Sequence, residues 1–202
     1  RKVQWLKRLS LMDNKLSDAR LSEFTETDDN AKLFKIIKNY IFNFDRMYKE
    51  NQGLILNGPV GTGKSYAAAV IANELLERKV HVVMTSFIKI LKDVGTFDDS
   101  ERLELIKNAK LLIIDDLGAE RGTDYAIEKV YDIIDSRYRS SKPVILTTNL
   151  SIEQMKSCED IRYSRIYDRI FEMCYPVKVN GFSWRKKEAA SRYGIVKKIL
   201  EG

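Results

Sequence analysis

Cysteine is nearly absent from this chain. Cys158 and Cys174 are the only two in 202 residues, and they lie far apart and outside any C-x-x-C pattern. That excludes a disulfide framework and a thiolate zinc site. Histidine occurs once, and His81 stands on an apolar strand-like run, which marks it as a satisfied core residue and not a catalyst. No apolar run approaches the length of a membrane span, and the first residues lack the hydrophobic core of a signal peptide. No repeats or low-complexity tract occur either. A reducing cytoplasm fits these absences. The chain begins at Arg1 and not at Met, the expectation for a fragment or processed product with an N-terminal domain ahead of it. A hydrophobic content of 44% supplies one substantial core and not two full domains.

What is abundant is positive charge, with a formal net charge of +6 and an isoelectric point near 9.1. Its location is uneven. Lys178, Arg185, Lys186, Lys187, Arg192, Lys197 and Lys198 face only Glu188 and Glu201, so the C-terminal segment carries a surplus of five. An acidic partner such as nucleic acid and simple solubility both account for such a balance.

Along the chain, residues 1–50 read as a helical extension: a short helix around Val3 to Met12, a polar link from Asp13 to Asp29, and a long helix from Ala31 to Tyr48. From residue 51 onward, strand-like runs at Leu54–Asn57, Val80–Thr85, Leu111–Asp115, Val144–Thr148 and Tyr175–Val179 alternate with helical patterns. The helices are expected at 64–78, 86–94, 100–108, 125–140, 160–173 and 184–200. Such alternation predicts an α/β domain with a parallel five-stranded sheet covered by helices on both faces.

The chemistry is concentrated at the ends of those strands. Gly58-Pro59-Val60-Gly61-Thr62-Gly63-Lys64-Ser65 fits G-x-x-x-x-G-K-[ST] at every fixed position, between the apolar run Leu54-Ile55-Leu56 and the helix-forming run from Tyr66 to Leu76. Glycines let such a loop curl its N–H groups inward, and the following helix adds its positive dipole end, so the segment predicts a polyphosphate site. Gly58, Gly61, Thr62, Gly63, Lys64, Ser65 and Tyr66 are its expected nucleotide contacts, with Lys64 on the β/γ-phosphates and Ser65 on Mg²⁺. Leu111-Leu112-Ile113-Ile114-Asp115-Asp116 has the form of a Walker B strand, whose end lies at the carboxyl edge of the sheet. Asp115 is the expected Mg²⁺ ligand, and Asp116 the residue that orients or deprotonates the attacking water.

Other polar residues fall where γ-phosphate chemistry needs them. Asn149 follows Val144-Ile145-Leu146-Thr147-Thr148 and can contact the γ-phosphate; the competing reading is a loop residue capping the helix near Ser151. Arg165 and Arg169 lie one helical turn apart, suited to presentation at a neighbouring subunit or to a solvated basic face. Arg185 is a phosphate sensor or an ordinary surface charge. The guanine-reading sequence N-K-x-D does not occur, which argues against a GTPase.

The ensemble resembles AAA+ ATPases, most closely the bacterial replicative-helicase loaders of the DnaC/DnaI type, and the transposition helper IstB is similar over the same region. The resemblance rests on Gly53 to Ser65, Ile114 to Glu120, Thr147-Thr148-Asn149, Arg165/Arg169 and Gly181 to Arg185, and it spans roughly Leu21 to Arg192. It implies a P-loop NTPase of AAA+ type in residues 51–202, with Asn149 as sensor 1, Arg169 as the arginine finger, Arg165 as its alternate and Arg185 as sensor 2. It also implies ATP/ADP and Mg²⁺ as cofactors, and a replicative helicase, single-stranded DNA and copies of itself as partners. The expected DNA contacts are Lys89, Lys92 and Phe97, against the bland reading of an amphipathic core helix.

Two departures stand out. Asp116 replaces the Glu of most AAA+ proteins, which implies slow hydrolysis, and the short chain after Arg185 leaves a minimal or absent lid. The alternative function is a transposition helper acting on duplex DNA. A metabolic P-loop kinase is a third reading, disfavoured by the sensor-like Asn149.

Overall fold

The computed structural model describes residues 12–24, 26–93, 99–118 and 123–180, with isolated positions in both terminal segments. Two short 3₁₀ turns, Asn14–Leu16 and Leu21–Glu23, lead into helices α1 (Ala31–Phe42) and α2 (Phe44–Lys49). The domain proper then runs β1 (Gly53–Asn57), α3 (Lys64–Glu77), β2 (Val82–Ser86), α4 (Phe87–Asp93), α5 (Asp99–Asn108) and β3 (Leu111–Leu117). It continues through α6 (Asp124–Arg139), β4 (Val144–Thr148), α7 (Ile152–Lys156), α8 (Ile161–Met173) and β5 (Cys174–Lys178).

All five strands pair in parallel in the order β2-β3-β4-β1-β5. Successive side chains alternate between faces. Leu54, Leu56, Leu111, Ile113 and Ile145 join α1 and α3 in one core, while Ile55, Leu112, Ile114, Val144 and Leu146 meet α4, α6 and α8 in the other. Helices therefore cover both faces, as the alternation of apolar runs predicts. α3 is buried nearly all round, because α1 and the chain before it close its outer side.

The single helix expected over Ala31–Tyr48 is two helices, broken at Asn43. Its side chain donates to Asn39 O at 2.8 Å, competing for a carbonyl that the helix ladder uses. Both halves still send Ile37, Tyr40, Ile41 and Phe44 into the core. β2 starts two residues later than expected, since Lys79 (φ 62°) and Val80 donate to Leu76 O and Leu75 O, finishing α3 with a Schellman turn. Asn51 and Ser141, both at φ 50°, end α2 and α6 in the same way.

The chain ahead of residue 25 packs into the domain. Asn73 on α3, 1% exposed, donates to Leu16 O and Ala19 O at 2.9 and 3.0 Å, and Leu21 N donates to Glu74 at 3.1 Å. Met84 N, on the outer side of edge strand β2, donates to Ser10 O at 2.7 Å. The other edge, β5, carries Pro176. Val179 N bonds Asn57 O, so by alternation the missing N–H of Pro176 faces away from β1 and blunts that edge.

Beneath the sheet, Arg137 is 1% exposed and donates to Ala109 O and Pro143 O at 2.8 Å, with longer contacts to Lys110 O and Ile106 O. It ties the starts of β3 and β4 to the end of α5, and burial lowers its pKa to about 10. His81 precedes β2 instead of lying in it. The ring bonds the Asn108 backbone while Nε2 has no hydrogen-bond partner among the described residues, so the half-buried imidazole is satisfied on one side only, and burial lowers its pKa. Cys174 is buried, with its thiol on Val144 O.

Candidate nucleotide site

The loop between β1 and α3 has the backbone its glycines permit. Gly61 (φ 84°) and Gly63 (φ 93°) adopt left-handed conformations, and a Cβ on Gly58 would stand 2.1 Å from Val179 O. Gly63 caps α3 without any side chain, so the first N–H groups of that helix have no acceptor from a capping residue. A helix N-terminus left in this way, at the end of a curled loop, suits an anion. Thr62 Oγ1 donates to Pro59 O at 2.9 Å and holds the loop's shape, while Val60 is exposed at its tip.

Lys64 is 5% exposed. Its Nζ donates to Gly58 O at 2.8 Å, to Pro59 O at 2.7 Å and to Asn149 Oδ1 at 2.8 Å. The ammonium thus joins the loop to the end of β4, and Asn149 is brought against the β1–α3 loop. Asn149 does not cap the next helix. Ser151 caps α7 and forms a capping box with Gln154. These donors, a buried cation and uncapped helical N–H groups in a glycine cradle, fit a nucleotide polyphosphate.

The acidic pair sits at a bulge. β3 loses register with β4 between Ile114 and Leu117, and Asp116 takes φ 57°. Thr147, fully buried in β4, donates from Oγ1 to Asp115 Oδ1 at 2.6 Å and accepts from Asp116 N at 2.9 Å. One hydroxyl therefore fixes the half-buried Asp115 carboxylate and the turn that exposes Asp116. Thr148 Oγ1 donates to Leu117 O at 2.7 Å, and Thr148 O accepts from Gly58 N at 3.3 Å. The end of β4 is consequently tied to both β3 and the phosphate loop. Ser65, in the first turn of α3, and Asp115, at the end of β3, carry oxygen donors of the kind a hard divalent cation such as Mg²⁺ takes.

Tyr66 lies beyond Ser65, half-buried against Phe24 with ring centres 6.0 Å apart; Phe34 continues the cluster 5.4 Å from Phe24. Burial and the nearby Glu23 carboxylate raise the Tyr66 pKa. The segment before α1 therefore reaches the first turn of α3.

The remaining candidates lie elsewhere. Arg169 Nη2 donates to Tyr131 OH at 2.8 Å, and Nε stands 2.9 Å from Asp135 Oδ1, a charge contact without hydrogen-bond alignment. Arg165 is exposed one turn earlier. Lys89 pairs with Asp13. The Lys92 side chain, Phe97, Arg185, the helix expected after Trp184 and any lid fall outside the described residues. Thr147 stands in the Thr147-Thr148-Asn149 motif but had no role of its own in the sequence, and Asp135 was not singled out; alternation along β4, which turns Thr147 opposite to Thr148, is the signal for the former.

A sequence model of the IstB-like ATP binding protein matches residues 1–192. The chain belongs to the IstB-like ATP-binding family. The chain is similar to the replicative helicase loader DnaI of Bacillus subtilis (strain 168), 27% identical over 161 residues, 70% of this chain and 51% of that protein. It is similar to the replicative helicase loader DnaC of Escherichia coli (strain K12), 29% identical over 140 residues, 66% of this chain and 54% of the other. The crystal structure of DnaI superposes with a TM-score of 0.72 at 26% identity, covering 88% of this chain and 98% of that one. This family member therefore has the AAA+ P-loop ATPase fold. It spans about half the length of the relatives it matches, and no helix among its described residues is long and apolar enough to cross a membrane.

Proposed function

We propose that this chain is the ATPase part of a cytoplasmic helicase loader, binding ATP in the β1–α3 loop and hydrolysing it slowly. The contact of Lys64 with Asn149 carries this reading. It joins an amide at the end of β4 to the cation of the β1–α3 loop, which supports Asn149 as the group that senses a γ-phosphate. Lys64 exchanges two neutral carbonyls for phosphate oxygens, and Asn149, released, turns its amide to the γ-phosphate or the attacking water. Ser65 and Asp115 hold Mg²⁺, which supplies charge neutralisation of the phosphates. Thr147 keeps the Asp115 carboxylate aimed, and Asp116 orients the water. Arg169 is presented to the nucleotide of an adjacent copy, where its charge offsets charge developing in the transition state. The partners are a replicative helicase and single-stranded DNA, with Lys89, Lys92 and Phe97 as the DNA contacts.

The test combines nucleotide titration with helicase capture. Lys64→Ala should abolish binding of a fluorescent ATP analogue, and the wild-type chain should bind a replicative helicase in a nucleotide-dependent manner. Unchanged titration by the mutant refutes the site. The family match favours a second reading, a transposition helper on duplex DNA; ATP-dependent filaments on duplex DNA without helicase capture would select it.

A further inference from the structure

Arg169 does not project freely from α8. Tyr131, Asp135 and Tyr138 recur at helical spacing on α6 and form a stripe facing it. The guanidinium carbon lies 4.7 Å from the centre of the Tyr131 ring and 5.8 Å from that of Tyr138. Asp135 Oδ1 holds the Nε edge, Tyr131 OH accepts from Nη2, and Arg165 O accepts from Nη1 at 3.4 Å. Asp135 is only 15% exposed, and its second oxygen contacts Arg139 Nε at 2.6 Å. A guanidinium has five N–H groups; the cradle hydrogen-bonds one on each η nitrogen and sets Asp135 against Nε as a charge contact, so among the described residues a second N–H on each η nitrogen remains for a phosphate.

We propose that Asp135 is the positioning residue for Arg169, fixing the Nε edge of the guanidinium so that its distal N–H groups address the nucleotide of the adjacent copy. This rests on the reading of Arg169 as an arginine acting between copies. A carboxylate that anchors a functional group from behind affects its chemistry without touching the substrate. The neutral hydroxyl of Tyr131 lacks the charge to hold a flexible arginine alone, and the two rings limit its swing to the plane between α6 and α8.

The experiment uses the full chain carrying Asp135→Asn, which keeps the shape and removes the charge, alongside Arg169→Ala and the double variant. ATP affinity of the isolated chain should stay within about twofold in all three, whereas ATP-dependent assembly and turnover should fall about tenfold to a hundredfold with Asp135→Asn. The double variant should be no worse than Arg169→Ala. Mixing Asp135→Asn with Lys64→Ala should restore turnover, since one protomer supplies the loop and the other the arginine. Tyr131→Phe, a milder change in the same cradle, should give a smaller loss. Normal turnover by Asp135→Asn beside a defective Arg169→Ala overturns the proposal alone. Normal turnover by Arg169→Ala removes the arginine assignment itself. Loss of ATP affinity by Asp135→Asn, or no recovery on mixing despite co-assembly, assigns Asp135 to folding only and also overturns it.

Discussion

Replacing Asn149 by Asp should move stability and ATP affinity in opposite directions. The side chains have the same shape, and the oxygen that meets Lys64 Nζ at 2.8 Å would carry a charge. At that distance two unit charges in an effective dielectric of about 20 attract by roughly 6 kcal/mol. Most of this is offset by desolvation of the carboxylate and by the hydrogen bond already present, leaving about 1–2 kcal/mol because residue 149 is exposed. For a chain of this size the melting temperature of the nucleotide-free protein should rise by about 2–8 °C. The new carboxyl would be depressed in the folded state, so the gain should be present above pH 4 and vanish as pH falls through its folded pKa. ATP binding should weaken by about 2 kcal/mol, roughly thirtyfold, because the carboxylate competes for Lys64 and repels the γ-phosphate, while ADP should lose less. Scanning calorimetry and titration with both nucleotides measure these effects. A lowered melting temperature, or equal losses for ATP and ADP, would refute the placement of Asn149 beside the γ-phosphate.

Thr147→Val should leave ATP affinity within about threefold and lower turnover at least tenfold, because Asp115 loses its donor and Asp116 N its acceptor; equilibrium unfolding should show a cost of about 2 kcal/mol. Arg137→Met should destabilise the chain by about 3 kcal/mol in urea by orphaning buried carbonyls of Ala109 and Pro143, with nucleotide titration unchanged, since it lies at the opposite end of the sheet. Ser141→Gly should stabilise by about 0.5 kcal/mol, relieving a left-handed serine at φ 50°, whereas Ser141→Ala should not; chemical denaturation separates the two.

Much of this protein was legible along the chain. The phosphate loop, the acidic strand end and the alternation of strands with helices are local patterns, and a parallel sheet buried on both faces leaves them as apolar runs ending in polar residues. The interruption at Asn43 was not legible in periodicity, because Tyr40 and Phe44 keep the apolar stripe continuous across a backbone break. Tertiary structure alone decided which partners meet. Lys64 and Asn149 are 85 residues apart, Thr147 and Asp115 are 32 apart, and both contacts exist because β4 lies between β3 and β1. The cradle of Arg169 arises similarly, from α6 packed against α8. Local residue patterns record which face of an element is apolar; the register between elements distant in sequence sets which polar groups share an edge, and only the assembled sheet contains that register.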